Sequence, residues 1–231
     1  MRQRSGILAA ITILLGASGC TEWSPPWEFW RNEPEEALIE APIVRMERFR
    51  EWGHSAGSFD PQEQARISGQ LIQAYNAELE GDPMIRREAV KALGSYPIPA
   101  AELVLNQAKS DADTSVRMAA CEAWAIHGGQ RAIVELESVL RNERDQDVRH
   151  AAIRSLRDIK ADAANPYAVV GALTIALEDK DPATRAVTLA ALENVTGRYY
   201  GTDADAWRRF AKGEDVPQQQ RSLAQQFGFF N

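Results

Sequence analysis

The residues of this 231-residue chain best suited to covalent or acid–base chemistry are two cysteines and three histidines. Cys121 is the one thiol in the body of the chain, and a thiol nucleophile needs a base within hydrogen-bond reach. His54, His127 and His150 are scattered. None stands beside another histidine or a cysteine in the repeat set out below, so spacing assembles neither a catalytic triad nor a zinc site. Cys121 shares its column with Val90, Ile153 and Leu189, which makes it a small buried hydrophobe. His127 precedes Gly128-Gly129 at a helix end, where an imidazole can meet the terminal carbonyls. His54 falls in a Gly/Ser turn and His150 on a helix surface. No glycine-rich loop of the phosphate-cradling kind is present. Carboxylates are plentiful, but the recurring ones have a structural place.

That place is a motif repeated between Asp82 and Leu192. Asp, two variable residues, Ile/Val/Thr and then Arg recur as Asp82…Arg86, Asp113…Arg117, Asp145…Arg149 and Asp181…Arg185. The copies lie 31, 32 and 36 residues apart, a spacing that implies stacked structural repeats. Each Asp falls where a helix begins, so its carboxylate can accept from the unpaired N–H groups of the first turn. Pro83 and Pro182 follow at the first helical position, where the missing N–H does no harm.

Behind each Arg come packing columns: Ala89, Ala120, Ala152 and Thr188; Val90, Cys121, Ile153 and Leu189; Leu93, Trp124, Leu156 and Leu192. The small first column permits close helix approach, and the larger ones fill the space between layers. Shorter helices over Ala100–Lys109, Gln130–Asn142 and Pro166–Glu178 separate these longer ones, each bounded by Gly, Pro or Asn.

Paired helices in units of thirty-odd residues, with Asp and Arg at fixed offsets in the second helix, resemble the HEAT-repeat family over about residues 60–214. The resemblance implies an all-α fold, an α-solenoid of about four helical hairpins with flanking N- and C-terminal helices. It also implies a hydrogen-bonded ladder between layers, carried by Asp82, Arg86, Asp113, Arg117, Asp145, Arg149, Asp181 and Arg185. HEAT arrays commonly bind peptides or proteins on the face of the second helices. Here that face reads Arg87, Met118, His150 and Ala186, then Lys91, Glu122, Arg154 and Ala190 one turn on. It is a mixed, mildly basic lane, with Arg87, Lys91, Met118, Glu122, His150 and Arg154 as its partner-binding residues.

At the N-terminus, Arg2 and Arg4 precede an apolar run from Gly6 to Gly16, too short to cross a bilayer. The run ends in Ala17-Ser18-Gly19-Cys20, which resembles the lipobox of bacterial lipoproteins, although Ala17 stands where that family usually has Leu. The resemblance implies a signal peptide over residues 1–19, lipidation of Cys20 and a membrane-anchored protein facing the periplasm. Thr21, rather than Asp, favours the outer membrane. Residues 20–34 form a Pro-rich tether bearing Trp23, Trp27, Phe29 and Trp30, suited either to a lipid interface or to the exposed end of the array.

Residues 35–58 read as an N-terminal helix followed by a breaker from Gly53 to Ser58, with Pro42 starting or kinking the helix. Asp60-Pro61 opens the repeat domain, 59–214, with a helix that runs to about Glu80. Thr202-Asp-Ala-Asp205 reads as a capping box for a closing helix carrying Trp207 and Phe210. Residues 215–231 form a Gln-rich tail in which Leu223, Phe227 and Phe230 recur at helical spacing.

The charge balance, Lys+Arg 26 against Asp+Glu 33, argues against a nucleic-acid partner. Neither a cofactor nor a metal is implied. The expectation is a monomeric, lipid-anchored adaptor whose partner is a protein or peptide. An enzyme on the same array, a hydrolase or a tetrapyrrole (bilin) lyase-like protein, and a purely structural envelope protein are the alternatives.

Overall fold

The computed structural model describes residues 40–78, 81–159 and 165–219. Its contacts divide the chain into Met1–Glu40 and Ala41–Asn231, and the fold below is that of the second unit. The signal segment, Cys20, the aromatic tether, residues 35–39 and the tail from 220 lie outside the described residues.

Ten α-helices appear among the described residues, with no strand. They are α1 (Pro42–Ser55), α2 (Pro61–Ala77), α3 (Pro83–Leu93), α4 (Pro99–Ala108) and α5 (Thr114–His127). After these come α6 (Gly129–Asn142), α7 (Gln146–Asp158), α8 (Pro166–Leu173), α9 (Pro182–Thr196) and α10 (Ala204–Ala211). A short 3-10 turn over Thr174–Glu178 continues α8.

The helices form two layers. In one, α1, α3, α5, α7 and α9 lie side by side, each packed on the next. In the other, α2, α4, α6 and α8 each pack behind the helix that follows them. The four hairpins α2–α3, α4–α5, α6–α7 and α8–α9 are therefore the repeats of this α-solenoid. At the far end α10 lies against α8 and its 3-10 continuation. Trp207 is fully buried, packs edge-on against Tyr200 and donates its indole N–H to the Gly201 carbonyl.

Helix starts follow local chemistry. The carboxylates of Asp60, Asp82, Asp113, Asp145 and Asp181 all accept first-turn N–H groups. Such a cap is worth about 1 kcal/mol. Asp203, not Thr202, caps α10, accepting from the Ala206 N–H at 2.9 Å. Asp205 instead pairs with Arg208 one turn on.

The packing columns form the core. Ala89, Ala120, Ala152 and Thr188, and likewise Leu93, Trp124, Leu156 and Leu192, are fully buried. Filling those sites with large side chains contributes about 1.5–3 kcal/mol for each Leu-sized residue.

Gly53 corrects the sequence reading. It breaks nothing: α1 runs through it to Ser55, and a Cβ there would lie 3.0 Å from the Ala92 Cα. Glycine stands at Gly53 because α1 and α3 approach each other closely at that point, and Gly94 meets α5 in the same way.

The position of Gly53 also sets the register of α1. Ala41-Pro42-Ile43-Val44-Arg45 aligns with Asp82-Pro83-Met84-Ile85-Arg86, so α1 opens with a fifth copy of the motif in which Ala replaces the capping Asp. Ala41 is indeed the N-cap, without a side-chain cap bond. Pro42 occupies the first turn and does not kink the helix.

Candidate functional site

The arginine column joins the layers, but its acidic partners are not those expected. Arg86 places Nε and Nη2 on the two carboxylate oxygens of Asp111, each at 2.9 Å. Arg117 meets Glu143 at 2.9 Å, and Arg149 meets Asp179 at 2.9 Å. Each of these acids lies two residues before the capping Asp of the next layer. Each also accepts the backbone N–H of that Asp: Asp113 to Asp111, Asp145 to Glu143, and Asp181 to Asp179, all at 2.9 Å.

The ladder of eight Asp and Arg positions therefore divides into two roles. Asp82, Asp113, Asp145 and Asp181 cap helices. Arg86, Arg117 and Arg149 bridge to a separate acidic column. The capping carboxylates touch the preceding layer only peripherally, as where Arg117 stands 3.7 Å from Asp145 and Gln146 donates to Asp181 at 2.5 Å. Arg185 reaches back to the carbonyls of Asp179 and Lys180, and no acid pairs with it among the described residues.

The degenerate first copy keeps its rung. Arg45 meets Glu78 at 2.5 Å, and Glu78 in turn accepts the Asp82 N–H. The signal for the acidic column was present in the sequence as Glu80-x-Asp82, Asp111-x-Asp113, Glu143-x-Asp145 and Asp179-x-Asp181, with Glu80 itself outside the described residues.

Electrostatics follow the geometry. Burial would raise the Glu143 carboxyl, but the Asp145 N–H, the Arg117 guanidinium and the Arg144 N–H outweigh it and hold the group below its ordinary range. A side-chain hydrogen bond from Arg45, against the opposing effect of burial, does the same for Glu78. Burial, reinforced by the Asp111 charge, pushes the Tyr75 hydroxyl up to about 12.

The face of the second-helix layer holds two open grooves that share Glu122 and Ile126. The first, between α1, α3 and α5, joins Arg87, Lys91 and Glu122 with Arg50 and His54 of α1. The second, between α5 and α7, joins Glu122 with Arg154, Ser155 and Asp158. Their volumes, about 420 and 360 Å³, would each hold a few side chains of a partner, not a folded body.

Four of the six lane residues, Arg87, Lys91, Glu122 and Arg154, thus line continuous grooves. The other two do not. Met118 packs against the core from the lane edge. His150 turns to the next layer, its Nε2 2.9 Å from the Thr184 hydroxyl, which itself donates to Asp181. The sequence reading stopped at two columns and missed the third, His54, Ser95, Ile126 and Asp158, which the same four-residue stride reaches.

The reactive side chains have other surroundings. Cys121 is fully buried and unpaired, and burial, with the nearby Glu122 and Glu143 charges, pushes its thiol up to about 12. A thiol so held is a poor nucleophile at neutral pH. His127 corrects another expectation. Its Nε2 lies 3.3 Å from a Glu102 carboxylate oxygen, its ring meets Trp124 edge-on, and among the described residues it bonds to no carbonyl. His54 belongs to the last turn of α1, not to a loop. Among the described residues no group of three or more His, Cys, Asp or Glu side chains could hold a metal ion.

Stacked hairpins joined by charged rungs define an α-solenoid, a helical repeat scaffold. Residues 70–157 match the family model of the HEAT repeats. The matched stretch carries the copies at Asp82, Asp113 and Asp145. Among solved structures, the crystal structure of an engineered protein from a structural genomics consortium is similar at 20% identity and a TM-score of 0.43, over 76% of this chain and 82% of that one. No curated protein matches the chain.

Proposed function

We propose that this HEAT-repeat scaffold is a lipid-anchored adaptor of the bacterial cell envelope, facing the periplasm and binding another protein across its second-helix layer. The observation that carries the binding role is the pair of grooves joined at Glu122 and Ile126, which present charged side chains from successive helices along one continuous face. Helical repeats build extended binding surfaces in this way because each layer adds the same strip of surface to the last. The anchor rests on Cys20 and the small residues that lead into it after the apolar run.

The binding role is tested by photo-crosslinking in cells. A photoreactive residue replaces Lys91, Glu122 or Arg154, with Gln107 and Arg141, exposed on the first-helix layer, as controls. A discrete protein adduct from the first set alone is the expected result. Adducts from neither set, or equally from both, count against an adaptor and favour a structural envelope protein. The anchor is tested by Cys20→Ala, which releases the protein from membranes; continued lipid labelling of that variant refutes it.

A further inference from the structure

The register of α1 brings into the first groove an arginine that the repeat alone did not reveal. Arg50 stands in the column of Lys91, Glu122 and Arg154. Between Arg50 and Arg87 lies Glu88, whose side chain is only 4% exposed. Arg50 Nε donates to one Glu88 oxygen at 3.1 Å, and Arg87 Nη2 and Nε donate to the other at 2.6 and 3.2 Å. Burial would raise the Glu88 carboxyl, but the Arg50 and Arg87 guanidiniums outweigh it and keep it charged.

Glu88 therefore acts as a fixed anion that holds two guanidiniums at the groove wall. Among the described residues both terminal nitrogens of Arg50 and Nη1 of Arg87 carry no hydrogen bond. One buried carboxylate is thus shared by two cations, and the Glu47 charge near Arg50 acts on it without an ion pair among the described residues. Lys91 adds a further positive charge, held at 2.8 Å by Glu122 in a pair that is 39% and 45% exposed. An exposed pair of that kind contributes little and yields readily to a ligand. In the second groove Arg154 is exposed and has no ion pair among the described residues.

Building on the adaptor reading, we propose that the second-helix face takes an extended peptide segment of a partner protein with two acidic clusters, one seated on Arg50 and Arg87 and the other on Arg154. Guanidiniums with unused N–H groups suit carboxylates, because the planar fork matches the two oxygens. Glu122 stands between the two basic points and Asp158 beyond them, so a uniform polyanion meets repulsion where a peptide with separated acids does not. The overall charge of −7 also opposes a polyanion. The layers set the spacing. Packed helix axes lie about 8–10 Å apart, which places the two points roughly 20 Å from each other. An extended chain advances about 3.3 Å per residue, so the acidic clusters lie about six residues apart.

The test uses the whole chain and two fluorescein-labelled Gly/Ser peptides. One carries two glutamate pairs about six residues apart, and the other has glutamine at the same positions. Fluorescence anisotropy is expected to show the glutamate peptide bound at least about tenfold more tightly, and its binding to weaken as salt is raised. Arg154→Gln and Arg50→Gln should each weaken that binding by about tenfold. Arg154 holds no ion pair among the described residues, and Glu88 retains Arg87 when Arg50 is replaced, so the unfolding midpoint of both variants should stay near that of the parent.

Equal binding of the two peptides, no binding of the glutamate peptide, or unchanged binding by both variants overturns the proposal. If crosslinks to a protein still form from Lys91, Glu122 and Arg154, the adaptor reading stands and only the acidic character of the ligand is lost. If the crosslinks fail as well, both fall.

Discussion

Arg86 and Asp111 form a two-pronged ion pair between successive layers, with both contacts at 2.9 Å and side chains only 6% and 5% exposed. Removing one partner of such a buried pair leaves an uncompensated charge. Arg86→Ala is therefore expected to destabilise the array by about 3–5 kcal/mol. The Arg117–Glu143 pair is more open, and Arg117→Ala should cost about 1–3 kcal/mol. Arg185→Ala removes only hydrogen bonds to carbonyls and should cost about 1 kcal/mol. Denaturant unfolding of the three variants checks the order. Equal midpoints would remove the rungs from the account of stability.

Acid should loosen the same array. Glu78, Glu88 and Glu143 are held below the ordinary carboxyl value of 4.5 in the folded chain. A group with a depressed folded pKa contributes stability that is fully present above its unfolded pKa and is lost as pH falls through the folded value. The thermal midpoint is thus expected to vary little with these groups from neutrality down to about pH 4.5 and to fall below it. The decline should be shallower in Arg117→Ala, where Glu143 has lost its guanidinium. An equally steep decline in that variant would show that the rung carries none of the acid sensitivity.

Two glycines should respond oppositely to the same substitution. A Cβ at Gly94 would lie 2.7 Å from the Ala123 carbonyl oxygen and 2.8 Å from its Cα, so α3 and α5 would have to separate. Gly94→Ala is expected to cost about 1–3 kcal/mol. Gly69 lies within α2 with open space around its would-be Cβ, and Gly69→Ala should stabilise by about 0.5–1 kcal/mol. Thermal unfolding of both variants is the measurement, and a shift in the same direction would contradict the close approach of α3 and α5.

The degenerate first motif can be restored. Ala41 starts α1 without a side-chain cap, whereas Asp82 accepts the Met84 N–H at 2.8 Å in the aligned position. Ala41→Asp is therefore expected to add about 1 kcal/mol. Slower amide exchange in the first turn of α1 would locate the gain there. An unchanged exchange rate would mean that α1 does not share the register of the other copies.

The fold was legible because its layers repeat. Four copies of Asp and Arg in one phase, with small and large apolar columns at fixed offsets, specify helix starts and buried faces through interactions within a few residues of each other. That was enough for an α-solenoid and for the capping carboxylates of Asp82, Asp113, Asp145 and Asp181. It was also enough to place Arg87, Lys91, Glu122 and Arg154 on one face.

Pairing between layers is a different matter. Arg86 reaches Asp111 and Arg149 reaches Asp179 across 25 and 30 residues, and only the stacking of helices decides which of several nearby acids lies within reach. The same stacking turned His150 towards Thr184, packed Met118 against the core and drew Gly53 against Ala92. It also revealed α1 as a further layer, because Arg45 still finds Glu78 after the capping aspartate has been lost. Periodicity along the chain sets what each helix presents, whereas contact across the layers sets what each side chain meets.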